Sequence, residues 1–240
     1  MTGVAIVTGA SGGIGRATCR ALLADGMTVI GLDLDVSPLG DSVTAALTVD
    51  ITNEQQVQDA TAQILARWSR IDVLVNNAGI TGSAAATTAH ETPVEEFDRV
   101  IAVNVRGPFL CARAVLPSMI TQGSGHIITI ASAAGIVAFP GRCAYTTSKG
   151  AALQLARSLA VDYGALGIRS NAICPGMVET PMTQWRLDQP ELRARIEAQI
   201  PMGRVATPAE IADAVSVLAS GRLAYANGLP LVIDGGWTSW

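Results

Sequence analysis

Tyr145 and Lys149 are the two residues whose types and spacing point most directly to chemistry. Lys149 is the only lysine among sixteen basic side chains, the others all being arginine. Four apart on a helix, the phenol and the ammonium share one face, where the cation favours a phenolate. Tyrosine is a poor base at its ordinary pKa of about 10; half-ionising it near neutrality takes roughly three units, or about 4 kcal/mol of preferential stabilisation. A compact ammonium with rotatable donors suits that task better than the broad fork of a guanidinium. The pair therefore reads as a device for moving a proton to and from a bound oxygen.

A second constellation lies near the start, in Thr8-Gly9-Ala10-Ser11-Gly12-Gly13-Ile14-Gly15. Gly9, Gly13 and Gly15 permit a tight turn that brings backbone N–H groups, with those of Ser11 and Ile14, against a pyrophosphate at a helix N-terminus. Asp33 follows about 20 residues on, where a carboxylate accepts hydrogen bonds from an adenosine ribose and repels a 2'-phosphate. Leu34 comes next, and no arginine or lysine occupies positions 10–13. The expected cofactor is NAD rather than NADP.

Those groups need a scaffold. Apolar runs predict strands over 3–8, 28–33, 45–50, 72–75, 126–131, 168–174 and 231–233, and helical patterns cover 13–26, 53–68, 93–105, 108–122, 144–163 and 208–220. About seven strands, apolar throughout and alternating with helices, predict an α/β fold: a single Rossmann-type domain over 1–240, its doubly wound parallel sheet covered on both faces. Residues 34–44 leave room only for a short helix. The stretch 181–203 mixes methionine, tryptophan and charged residues between a strand and the last helix, and it predicts a substrate lid.

Composition narrows the function classes. With 240 residues, 49% hydrophobic and 15% charged, the chain can bury a sizeable core. Its net charge is −4 and its basic residues are scattered, which argues against nucleic acid or anionic lipid as partner. Residues 1–8 show no basic leader and no apolar run approaches about 18 residues, so the expectation is a cytosolic protein that does not enter membranes. Cys19, Cys111, Cys143 and Cys174 have neither zinc-site nor disulfide spacing; free thiols and no metal are expected, with Cys143 as core filler. His90 and His126 show no partner and no role in the chemistry.

Taken in order, Thr8 to Gly15, Asp50-Ile51, Asn76-Asn77-Ala78-Gly79, Asn104, Ser132, Tyr145 with Lys149, and Pro175-Gly176 resemble the short-chain dehydrogenase/reductase family over the whole chain. The resemblance implies that Asp50 and Ile51 flank the adenine and that Asn77, Ala78 and Gly79 support the sheet beside the dinucleotide. It places Pro175, Gly176, Val178 and Thr180 at the nicotinamide end. It also implies that Asn104 holds a water leading from Lys149 to solvent, and that the protein is a homotetramer. Oxidising a secondary alcohol then needs Tyr145 as base and a hydride acceptor held against the carbinol carbon. Ser132 would donate to the substrate oxygen.

Phe139-Pro140-Gly141-Arg142 and the run 175–193 resemble, within that family, members that handle 2-(R)-hydroxypropyl-coenzyme M, a sulfonated thioether alcohol of bacterial epoxide metabolism. That resemblance implies a sulfonate clamp at Arg142 and Arg186, which suits two planar guanidinium groups and a tetrahedral oxyanion. Met177, Met182 and Trp185 would wall the thioether. Two other readings remain open. One is a broad secondary-alcohol, dihydrodiol or 3-oxoacyl reductase, the last of which usually wants NADPH. The other is a dinucleotide-sensing protein without turnover, against which Tyr145 and Lys149 both count.

Overall fold

In the computed structural model, which describes residues 3–239, the strands are apolar because both of their faces are covered. Met1 and Thr2, which head the stretch read for a leader, lie outside the described residues, as does Trp240. The strands are β1 (Val4–Thr8), β2 (Thr28–Asp33), β3 (Ala45–Thr48), β4 (Val73–Asn76), β5 (Gly125–Ile130), β6 (Ile168–Pro175) and β7 (Pro230–Ile233). All pair in parallel in the order β3-β2-β1-β4-β5-β6-β7. The direction of winding reverses between β1 and β4, and in such sheets a crevice opens there at the carboxyl ends of the strands.

Eight helices cover the sheet among the described residues: α1 (Gly13–Ala24), α2 (Glu54–Trp68), α3 (Val94–Ile101), α4 (Gly107–Gln122), α5 (Cys143–Tyr163), α6 (Pro181–Leu187), α7 (Pro190–Glu197) and α8 (Pro208–Ala219). Alternate strand residues feed two cores. Val4, Ile6, Ile30 and Leu74 pack with Val57 and Ile64 of α2 and Val115 and Met119 of α4. Ala5, Val7, Val29 and Val75 pack with Cys19 and Leu22 of α1 and Ile211 and Val215 of α8.

The structure differs from expectation in three places. The helices expected over 93–105 and 108–122 are one continuous rod, because a π-helical turn at Ala102–Arg106 carries α3 into α4. Pro108 is the second residue of α4 and comes just after the π-helical turn, where the i→i−4 ladder is already interrupted. The joined span Val94–Gln122, 29 residues, is long and apolar enough to cross a membrane by length and composition, but half of its apolar window is buried inside the protein. It packs on α2, β4, β5 and α5 as a core helix. The second difference is that the stretch 181–203, expected as a lid, forms α6 and α7, with a small core of Leu187, Ile196, Ile200 and Val205.

The third is His126, which has partners after all. Its Nδ1 donates to the Leu218 carbonyl (3.1 Å) and its Nε2 accepts from the Asn171 amide (2.8 Å). Asn171 also donates to Ala226 O and accepts from the Leu229 N–H, so the ring joins β5, β6, α8 and the 223–229 loop. Burial, aided by nearby Arg169, pushes its pKa down to about 3.

Candidate active site

A cleft of about 640 Å3 opens at the switch point. Its floor is the turn from β1 into α1, where close packing allows no side chain. A Cβ on Gly9, which has φ +62°, would lie 2.7 Å from Ala78 Cα; on Gly15 it would lie 2.1 Å from Gly9 O; on Gly13, 2.9 Å from Thr180 Cγ2. No side chain caps the N-terminus of α1, so its first N–H groups face the cleft. Asn77 secures the turn from below, donating to Thr8 O and Gly9 O at 2.9 Å each, while Thr8 Oγ1 accepts from the N–H groups of Asn77 and Ala78.

At one end stands Asp33, its carboxylate fixed by the N–H groups of Ser11 (2.9 Å) and Leu34 (2.7 Å). Asp50, Ile51, Val49 and Thr52 form the adjoining wall. Gly79, Ser132, Tyr145, Lys149, Pro175, Gly176, Val178 and Thr180 line the same cleft. Every residue expected to hold the dinucleotide lines it. The side-chain-free cradle and the open helix N-terminus fit a nicotinamide dinucleotide.

Lys149 is buried and donates from Nζ to the Ile130 carbonyl (2.8 Å), with its ammonium 5.8 Å from the centre of the Tyr145 ring. Asn104, buried in the π-helical turn, accepts from the Ile80 N–H and donates to Ile80 O, both at 2.8 Å, and donates to Ser148 Oγ at 2.9 Å. Ser148 in turn donates to the Tyr145 carbonyl (2.7 Å), so a buried chain of hydrogen bonds ties the π-helical turn to the helix that bears the tyrosine.

Burial pushes the Tyr145 phenol up, and the Ser132 hydroxyl and the Arg142 charge oppose that rise. Burial likewise lowers Lys149 to about 8, and its ammonium is engaged by a carbonyl.

The mouth is less complete. Met182 lines the cleft, whereas Met177, Arg142, Trp185 and Arg186 stand outside its lining. Met177 packs against the lid core. Arg186 lays its guanidinium 4.8 Å over the neighbouring Trp185 ring, which is 56% exposed. Arg142, at the start of α5, is half-buried and close enough to Tyr145 to stabilise a phenolate. The sequence reading missed Ser148 and Arg99. Ser148 three residues after Tyr145 was a readable signal; Arg99 reaches the cleft wall only because Glu96 grips it at 2.8 and 3.0 Å. No group of three or more His, Cys, Asp or Glu among the described residues could hold a metal ion.

A family model described as enoyl-(acyl carrier protein) reductase matches residues 9–238. The 2-(R)-hydroxypropyl-CoM dehydrogenase of Xanthobacter autotrophicus is 53% identical, with 100% of each chain covered. The 2-(S)-hydroxypropyl-CoM dehydrogenase 3 of the same organism is 36% identical, over 98% of this chain and 96% of its own. The solved structure of Thermoplasma acidophilum aldohexose dehydrogenase superposes with a TM-score of 0.93 at 33% identity, covering 100% of this chain and 95% of that one. A family match across nearly every residue, joined to this cleft, makes the chain a member of the short-chain dehydrogenase/reductase family, an oxidoreductase that acts on secondary alcohols with a nicotinamide dinucleotide.

Proposed function

We propose that this enzyme uses NAD to oxidise a sulfonated thioether alcohol of the 2-(R)-hydroxypropyl-coenzyme M kind to its ketone. The observation that carries the reading is the 53% identity, over both full lengths, to the dehydrogenase of the (R) alcohol, against 36% for the (S) counterpart. Asp33 supports NAD, since its fixed carboxylate accepts from ribose hydroxyls and repels a phosphate.

Bound NAD supplies the hydride acceptor. Tyr145 takes the hydroxyl proton as the carbinol hydrogen leaves with its electron pair, giving ketone, reduced dinucleotide and a proton passed onward. Ser132 donates to the same oxygen as it becomes a carbonyl. Lys149 steadies the ribose and the phenolate, and Asn104 with Ser148 holds that part of the helix in place. Arg142 and Arg186 take the sulfonate, which requires Arg186 to leave the Trp185 ring and α6 to move inward. The homotetramer and the cytosolic setting belong to the same reading.

The outward position of Arg186 favours one second reading, a broader secondary-alcohol dehydrogenase that needs no clamp. Initial rates with both enantiomers of 2-hydroxypropyl-coenzyme M, with 2-butanol, and with NAD or NADP separate the two. The first reading expects preference for the (R) enantiomer with NAD, and Arg186→Ala raising its KM by about 100-fold or more while 2-butanol turnover stays nearly intact. Equal effects of Arg186→Ala on both substrates would remove the clamp.

A further inference from the structure

Phe139 and Trp237 lie almost a hundred positions apart in the chain, yet their rings meet with centroids 4.8 Å apart and planes tilted by 37°. Phe139 belongs to the loop between Ser132 and α5, the loop that ends on Arg142. Trp237 also packs against the core of Leu187, Ile196, Ile200 and Val205, as does Met177. One side chain thus joins the loop that leads into the helix of Tyr145 to the core beneath α6 and α7.

The segment carrying Trp237 is held firmly. Asp234 accepts from the N–H groups of Gly236 (2.9 Å) and Thr238 (2.8 Å), and the Met202 N–H donates to Gly235 O at the foot of the lid (3.2 Å). Gly235 and Gly236, with φ of +65° and +89°, pack so closely that an added Cβ would lie 2.8 Å from Ile200 and 2.9 Å from Pro201. By contrast, Gly141 in the Phe139 loop has nothing within 4 Å of such an atom, and Ile136 and Val137 beside it are exposed. The loop is the looser bank, anchored near its end by the Cys143 N–H on Thr87 O (3.1 Å).

We infer that Trp237 is a positioning residue for substrate selection: by stacking on Phe139 while seated in the lid core, it fixes the spacing between the Arg142 loop and the lid, and so determines which substrate tails the mouth accepts. This rests on the reading above that the tail of the substrate lies in this mouth. Substrates that end at the carbinol centre do not reach the pair; those with a long tail do.

The test uses full-length Trp237→Leu, Phe139→Leu and the double variant, with steady-state kinetics on 2-propanol, 2-octanol and 2-hydroxypropyl-coenzyme M. Each single variant is expected to raise KM for the long-tailed alcohols about tenfold, the upper end for an aromatic pair. The kcat for 2-propanol and KM for the dinucleotide should stay within about twofold, since neither reaches the mouth. The double variant should be no worse than either single, because both remove one contact. A matching KM rise for 2-propanol, or additive losses in the double variant, overturns the inference. If Trp237→Leu does not fold, Phe139→Leu removes the same contact from the looser bank and decides the matter alone. Failure of the wild type to turn over the sulfonated substrate would sink the coenzyme M reading, whereas the ratio of 2-octanol to 2-propanol would still judge Trp237.

Discussion

Asp33 is the side chain on which the proposed preference for NAD rests. Two backbone N–H donors hold its carboxylate at the end of β2, so the remaining lone pairs face the cleft without the freedom to swing away. A hydrogen bond to a charged group is worth roughly 1.5–3 kcal/mol, so Asp33→Ala is expected to raise KM for NAD by about 10- to 100-fold and to leave NADP unchanged or improved. Initial rates with the two cofactors check this; an unchanged ratio between them would remove Asp33 from cofactor choice. At this scale the sequence was most informative where spacing is local. The Tyr145–Lys149 pair and the glycines before α1 could be read because helix and turn geometry dictate who meets whom within four or five residues. Arg99 could not, since its place in the cleft wall comes from how α3 sits against the rest of the folded chain.

The elements carry a different kind of constraint, seen at the joint where β5, β6 and α8 meet on His126. The ring stays neutral in the fold down to about pH 3, but in the unfolded chain it takes a proton near 6.5. Since the unfolded state binds more protons between those values, the joint contributes its full stability above about pH 6.5 and loses it as pH falls. By pH 5 the loss is about 2 kcal/mol, within a window where the Glu96 and Glu210 carboxylates, held down near 2 by Arg99 and Arg204, stay ionised in the fold. Denaturant midpoints at pH 7.5 and pH 5 should therefore differ, and His126→Asn, though weaker at pH 7.5, should show little of the difference. An equal fall in the variant would place the proton elsewhere. The alternating strands and helices were legible because both periods are strong in an apolar chain. The π-helical turn was not: Gly107-Pro108 reads as a helix break, and the rod passes through it by way of the π turn just before Pro108, while Gly107 fits closely against Ile51, where a Cβ would lie 2.5 Å from its Cδ1. The lid helices were missed for a related reason, since α6 and α7 start on Pro181 and Pro190, which look like breakers unless the helices are known to begin there.

Across the whole molecule, the sheet order turns a linear set of motifs into one site. Residues from β2, β5, β6, α1 and α5 and from the turns that follow β1 and β4 converge on a cleft because winding reverses beside β1, leaving strand ends uncovered at one place. That convergence could be anticipated from the alternation of elements; the place of Arg186 outside the cleft lining could not, because it goes with a stacking contact on the adjacent Trp185 ring. In the proposed mechanism Tyr145 moves the proton while a bound dinucleotide takes the hydride. The most direct measurement compares wild type with Tyr145→Phe for reduced-dinucleotide formation from 2-(R)-hydroxypropyl-coenzyme M, alongside NADH binding read by its fluorescence. The expected result is a fall in kcat of about 100- to 10,000-fold with NADH affinity retained. Wild-type turnover in Tyr145→Phe, or a loss of activity traced wholly to lost dinucleotide binding, would contradict it.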